Sequence, residues 1–117
     1  MFKGLYVALV TPFKKDGSLN EVKLRELVQC HIKAGTDGRV PCATTSENPT
    51  YTWEEHFKII DITVKEAKGK IKICAGCGTN STAKSIENVK KARELGADAA
   101  MVVTPYYNKP TPEGLYA

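Results

Sequence analysis

Gly38-Arg39-Val40-Pro41-Cys42-Ala43-Thr44-Thr45-Ser46-Glu47-Asn48-Pro49-Thr50 is the stretch on which the reading of this chain turns. It opens on a short apolar run and passes through two adjacent hydroxyls, Thr44 and Thr45. It leads into Thr52-Trp53-Glu54-Glu55, which has the form of a capping box: the Thr52 hydroxyl can accept from the Glu55 amide, and the Glu55 carboxylate can reach back. Strand, polar loop and helix start follow in that order. In alternating strand–helix folds, ligands bind at such strand carboxyl ends. Paired threonine hydroxyls with nearby amides suit a small carboxylate or carbonyl. Spacing alone favours an ordinary polar loop, because Thr and Ser are common in loops.

The same unit recurs on both sides. Residues 5–10 form a continuous apolar run rich in β-formers, which predicts a buried strand. A loop over 13–18 turns at Asp16-Gly17. Asn20 can cap a helix whose inward positions are Leu24, Leu27, Val28, His31 and Ile32, closed by Gly35. Residues 37–42 are the second strand. The helix from Trp53 carries Trp53, Phe57, Ile60, Val64 and Ala67 at three- and four-residue spacing, and Gly69 stops it. Residues 71–75 are the third strand, with Gly76-Cys77-Gly78 as a glycine-rich turn. Asn80 or Ser81 caps a helix with Ile86, Val89, Ala92 and Leu95 inward, closed by Gly96. Residues 99–103 are the fourth strand, and Thr111-Pro112 reads as the cap and first residue of a further helix.

Apolar strands separated by helices imply a parallel sheet and an α/β fold. Four strands fit either a small open doubly wound sheet or half of an eight-stranded (β/α)8 TIM barrel, which usually needs about 250 residues. The polar residues choose between them. Thr11, Thr44-Thr45, Gly76-Gly78 and Thr104-Tyr106-Tyr107 follow the carboxyl ends of four successive strands. One shared rim is the pattern of a barrel's active face, whereas an open sheet gathers its site at one switch point. The expectation is a single half-barrel domain over residues 1–117.

The composition is that of a soluble globular protein: 117 residues, 42% hydrophobic, 26% charged and a net charge of +4. The basic residues are dispersed, interleaved with Glu66, Glu87 and Glu94, and lack stacking aromatics, which argues against nucleic-acid binding. The first apolar run is too short for a signal peptide, and no run is long enough to span a membrane, so a cytoplasmic location is expected. Cys30, Cys42, Cys74 and Cys77 are expected as buried free thiols. Cys74-Ala75-Gly76-Cys77 lacks the second pair a zinc site needs and ends a strand instead of opening a helix, so neither metal nor cofactor is expected.

Three segments carry a resemblance to a known family: Val7-Ala8-Leu9-Val10-Thr11-Pro12, the Thr44-Thr45 loop with Glu47, and Val103-Thr104-Pro105-Tyr106-Tyr107-Asn108-Lys109-Pro110. Together the chain resembles the amino-terminal part of the dihydrodipicolinate synthases, within the wider pyruvate-dependent aldolases and lyases. The resemblance implies a (β/α)8 enzyme that holds pyruvate as a Schiff base on a lysine and condenses it with aspartate semialdehyde, on the route to diaminopimelate and lysine. It implies that Thr45 holds the pyruvate carboxylate, that Thr44 and Tyr107 belong to a proton relay completed between subunits, and that His56, Asn80 and Tyr106 line a lysine feedback site. A homo-oligomer is implied as well.

Departures from the family pattern set further expectations. Ala43 and Ser46 replace two loop glycines, which would distort the pocket if either position required positive φ. Arg39 replaces an apolar strand residue and is costly there unless paired. Lys84 replaces a glutamate of the feedback site. A Schiff-base lysine needs desolvation or a neighbouring cation to be a free amine at neutral pH, and the sequence offers none: Lys72 lies near a strand start, and Lys109 in a loop before Pro110. The chain is therefore expected to keep part of a pyruvate pocket without catalysing alone. The alternatives are a piece of an active synthase and a non-catalytic module that pairs with a longer relative.

Overall fold

Strand order separates the two architectures. A computed structural model describes residues 2–116. Its elements are β1 (Tyr6–Ala8), α1 (Glu21–Lys33), β2 (Gly38–Val40), α2 (Trp53–Ala67), β3 (Lys72–Gly76), α3 (Thr82–Glu94), β4 (Ala99–Met101) and α4 (Pro112–Tyr116). The four strands form one sheet in the order β1-β2-β3-β4, and every neighbouring pair is parallel. Right-handed crossovers that always step the same way put α1, α2 and α3 on one face. A doubly wound sheet must reverse direction at a switch point; no reversal occurs among the described residues.

The register defines the two faces. Arg39 pairs with Val7 on one side and with Ile73 on the other. Ile73 packs with Val28 of α1 and Ala67 of α2, while Ala75 joins Leu24, Ile59, Ile60 and Ala92. These residues mark the helix-covered face. Alternation places Tyr6, Ala8, Gly38, Val40, Lys72, Cys74 and Met101 on the other face, which no helix covers among the described residues. The molecule is accordingly a slab of 43 × 38 × 22 Å.

Helix ends follow their sequence signals. Asn20 Oδ1 accepts from the Lys23 amide, and both bonds of the Thr52–Glu55 capping box form, at 3.2 and 2.8 Å. Ser81, not Asn80, caps α3. Gly35, Gly69 and Gly96 take the left-handed φ of helix-closing positions.

Four expectations need correction. β1, β2 and β4 are three residues each, shorter than the predicted runs, while β3 keeps five. On α3, Ile86 is 51% exposed, while Ser85, Asn88 and Ala92 are buried. Ser85 Oγ accepts from the Thr79 amide and Asn88 Nδ2 donates to the Cys77 carbonyl, so polar side chains anchor the preceding loop where apolar ones were expected. Trp53 is partly exposed, and His56, Ile59, Ile62 and Thr63 take its place in the buried face of α2. Cys30 is exposed, whereas Cys42 and Cys77 are buried.

Candidate active site

The loop after β2 is built from two short 3-10 turns, Thr44–Ser46 and Asn48–Thr50, joined by Glu47 at φ 61°. The left-handed positions are Cys42 (φ 59°) and Glu47, not Ala43 and Ser46, where the resemblance implies glycine. Ala43 is extended, with φ −89° and ψ −175°, so its methyl costs no backbone strain. Ser46 is buried and its Oγ donates to the Leu9 carbonyl at 2.6 Å, tying this loop to the end of β1. The Thr50 hydroxyl donates to the Glu47 carbonyl at 2.8 Å. Cys42 Sγ faces α2 and donates to the His56 carbonyl at 3.4 Å. These bonds hold the base of the loop and leave Thr44 and Thr45 exposed on its crest.

Gly76 and Gly78 have the composition of a turn, but Gly76 ends β3 as a strand residue. A Cβ on Gly76 would meet the Cys42 carbonyl, and one on Gly78 would meet the Val102-Val103 backbone. Both glycines exist for close approach of neighbouring chain segments at the rim. Beside them lies a cleft of about 290 Å³, lined by Thr44, Asn48, Trp53, Thr79, Val103 and Tyr106 among others. The ends of β2, β3 and β4 thus share one opening. Thr11, after β1, is buried; Phe13, just beyond it, packs on Tyr51 of the second loop with ring centroids 6.2 Å apart.

Of the proposed relay and carboxylate residues, Thr44 lines the cleft and Thr45 stands next to it on the same turn. Tyr107 sits in a tight turn after β4 at φ 67° and is 90% exposed. Of the three residues expected at a feedback site, Tyr106 lines the cleft, Asn80 is exposed, and His56 is buried below. The His56 ring lies 4.9 Å from Trp53 and 5.5 Å from Phe57, and its Nε2 is 2.9 Å from the Gly76 carbonyl, so that nitrogen carries the proton. Burial holds the imidazole pKa below its usual range; the Gly76 bond opposes that shift and Lys84 adds to it. Lys84 Nζ stands 4.7 Å from the Trp53 ring and pairs with Glu87 at 2.8 Å. Sequence reasoning missed this aromatic support, although Trp53, His56 and Phe57 share one helical face.

The whole chain, residues 1–117, matches the model of the "Dihydrodipicolinate synthetase family". The chain belongs to this family. It is 58% identical over 116 residues to the 4-hydroxy-tetrahydrodipicolinate synthase of Thermodesulfovibrio yellowstonii, covering 99% of this chain and 40% of that relative. Against the synthase of Geotalea uraniireducens the identity is 54% with the same coverage. The solved Acinetobacter baumannii dihydrodipicolinate synthase, chloride-inhibited and complexed with pyruvate, superposes with a TM-score of 0.97 at 49% identity, over 99% of this chain and 40% of that one. The Aquifex aeolicus enzyme gives 0.95 at 50% identity. The chain thus spans about 40% of the length of the relatives it matches, and its four parallel strands are the amino-terminal part of their TIM barrel.

Family membership directs attention to the lysines. Every lysine among the described residues is exposed except Lys84, which is half-buried and held by Glu87 and Trp53. Lys72 is paired with Asp98 at 2.6 Å, and that hydrogen bond raises its pKa, opposite to what a nucleophilic amine requires. The two buried cysteines beside the rim supply no alternative nucleophile. Burial pushes the Cys42 thiol up to about 12 and Cys77 up to about 11, so both stay protonated at neutral pH.

Proposed function

We propose that these residues form the carboxylate-holding side of a Schiff-base synthase site that condenses pyruvate with aspartate semialdehyde. The observation that carries this reading is the exposed Thr44-Thr45 turn at the carboxyl end of β2, beside the β3 glycines and the tyrosines after β4, in a chain of this family. In this reading the Thr45 hydroxyl and amide bind the pyruvate carboxylate. The Thr44 and Tyr107 hydroxyls pass protons as the pyruvate carbonyl and a lysine amine join with loss of water. That amine comes from outside these 117 residues, because none of the lysines here is desolvated at the rim. His56, Asn80 and Tyr106 belong to an effector cleft in which Lys84, stacked on Trp53, disfavours a cationic amino acid. The same reading includes self-association, with the exposed Tyr107 reaching the site of a neighbouring copy.

Borohydride trapping with pyruvate tests the assignment. The chain alone should yield no covalent adduct. Mixed with the carboxyl-terminal remainder of a full-length relative, it should support an adduct on that added segment. A Thr45→Val substitution should lower the trapping yield in the mixture about tenfold, the loss expected for one charge-assisted hydrogen bond. An adduct on any lysine of this chain, or unchanged trapping with Thr45→Val, refutes the reading.

A further inference from the structure

A surface lysine ordinarily lays its methylenes on apolar side chains and keeps its ammonium in water. Lys84 brings the ammonium itself onto the rings. Its Nζ stands 4.7 Å from the Trp53 ring centroid and 5.9 Å from that of Phe57. The Lys84 side chain is only 26% exposed, whereas the other ion-paired lysines run from 49% at Lys91 to 69% at Lys65. The sequence builds this recess locally. Trp53, His56 and Phe57 are three and four residues apart at the start of α2, so their rings share one helical face. The ring centroids are 4.9 Å apart for Trp53 and His56, 5.5 Å for His56 and Phe57, and 6.2 Å for Trp53 and Phe57. Lys84 and Glu87, three residues apart on α3, face them, and Glu87 Oε1 accepts from Nζ at 2.8 Å. Both walls come from α2 and α3, which pack on each other within this chain. Two aromatic faces and a carboxylate around an ammonium are the groups that recognise organic cations. The cleft of about 290 Å³ opens beside them, with Trp53 as the common wall.

We infer that the recess between α2 and α3 is a binding site for a primary alkylammonium group, and that Lys84 occupies it in cis, closing it to free amines and cationic amino acids. As regulation, this rests on the effector reading of His56, Asn80 and Tyr106; as geometry it stands on α2 and α3 alone. The mechanism differs from charge repulsion, because the recess is filled. A side chain tethered on the neighbouring helix presents its ammonium at an effective concentration of about millimolar or more, so a free amine at micromolar concentration does not displace it. With the Lys84 side chain removed, Trp53, Phe57 and Glu87 remain as an open recess of the same chemistry.

Trp53 is the only tryptophan, so its fluorescence reports the recess in the 117-residue chain, with no pyruvate and no added segment. The probe is n-butylammonium, the Lys84 side chain without its backbone. Lys84→Ala should bind it saturably and at least about tenfold more tightly than the wild-type chain, the factor expected for a partly desolvated cation–π contact. Lys84→Met keeps the stem in the recess and drops the charge, so it should bind the probe no better than the wild type. Butanol should leave the emission unchanged. Equal affinity of the wild type and Lys84→Ala overturns the inference, as does an equal response to butanol. A methionine variant that binds like the alanine variant also overturns it and leaves repulsion as the whole effect. If far-ultraviolet circular dichroism shows Lys84→Ala unfolded, the wild-type chain decides: the Lys84 ε-methylene protons should be shifted upfield by the rings in proton NMR, and random-coil positions overturn the inference. Failure here leaves the Thr45 trapping result standing, and failure of trapping leaves the recess as described.

Discussion

Replacing Arg39 should stabilise this protein. Arg39 is 1% exposed, the bulkiest fully buried side chain, on the helix-covered face of β2. Its Nε and Nη1 have no hydrogen-bond partner, and the nearest titratable neighbour on α1, His31, has an equally unpartnered Nδ1. Loss of water around the guanidinium lowers its pKa from 12.5 to about 10. A lowering of that size corresponds to about 3 kcal/mol of preference for the neutral form in the folded state. At neutral pH, where the group is charged in both states, this is a penalty against folding. Arg39→Met keeps the apolar stem and removes the charge, so it should raise unfolding stability by about 3 kcal/mol in urea titrations at pH 7. The sign with pH is fixed. The penalty is complete below the folded pKa, shrinks as pH rises from about 10 towards 12.5, and is gone above it, so the advantage of the methionine variant should be level between pH 7 and 9 and narrow above 10. The same substitution should raise the His31 pKa, read by proton NMR, because Arg39 contributes to its depression. Protein concentration must be matched, since association adds to apparent stability. A methionine variant no more stable than its parent would show that the guanidinium has a partner and would refute the reasoning.

Three further outcomes follow from local geometry. Ser46→Ala removes the Oγ bond to Leu9 and leaves that carbonyl with one partner fewer; it should cost about 1–2 kcal/mol in chemical denaturation and loosen the second loop against β1. Gly76→Ala puts a methyl against the Cys42 carbonyl, which is backbone and cannot swing away; a loss of about 2–3 kcal/mol, with increased hydrogen exchange at the ends of β2 and β3, is expected. His56 has a folded pKa below its unfolded value, so the unfolded state binds the extra proton and stability should fall as pH drops below about 6.5; His56→Gln should flatten that part of the profile, and an unchanged profile would remove His56 from the account.

The elements most legible in the sequence were those governed by local backbone chemistry. Asn20, Thr52 with Glu55, and Gly35, Gly69 and Gly96 mark helix ends through bonds and φ angles that a few adjacent residues determine. Direction and order of the strands followed from their alternation with helices. What stayed hidden depends on partners distant in the chain. Ile86 looked inward by spacing, yet Ser85 and Asn88 face the loop before α3 because carbonyls and amides there need partners. The length of β1, β2 and β4 is set by how far neighbouring strands stay in register, which no apolar run encodes. Gly76 and Gly78 signal a turn by composition, but only the position of the neighbouring strand shows that they serve close approach.

The Thr44-Thr45 turn shows how a site's shape can outlast the residues that seem to specify it. Loss of two glycines suggested a distorted pocket, on the premise that glycine marks positive φ. The left-handed residues are instead Cys42 and Glu47, which bracket the turn on either side. Cys42 is held there by its thiol bond to α2 and by complete burial. Glu47 is held between two 3-10 turns, and its carbonyl accepts from both the amide and the hydroxyl of Thr50. With the reversal carried by those two positions, Ala43 can remain extended and Ser46 can spend its hydroxyl on Leu9. The crest that presents Thr44 and Thr45 is therefore fixed by anchors to the end of β1 and to α2, both of which these residues contain, and its geometry does not wait on the lysine that the proposed chemistry requires.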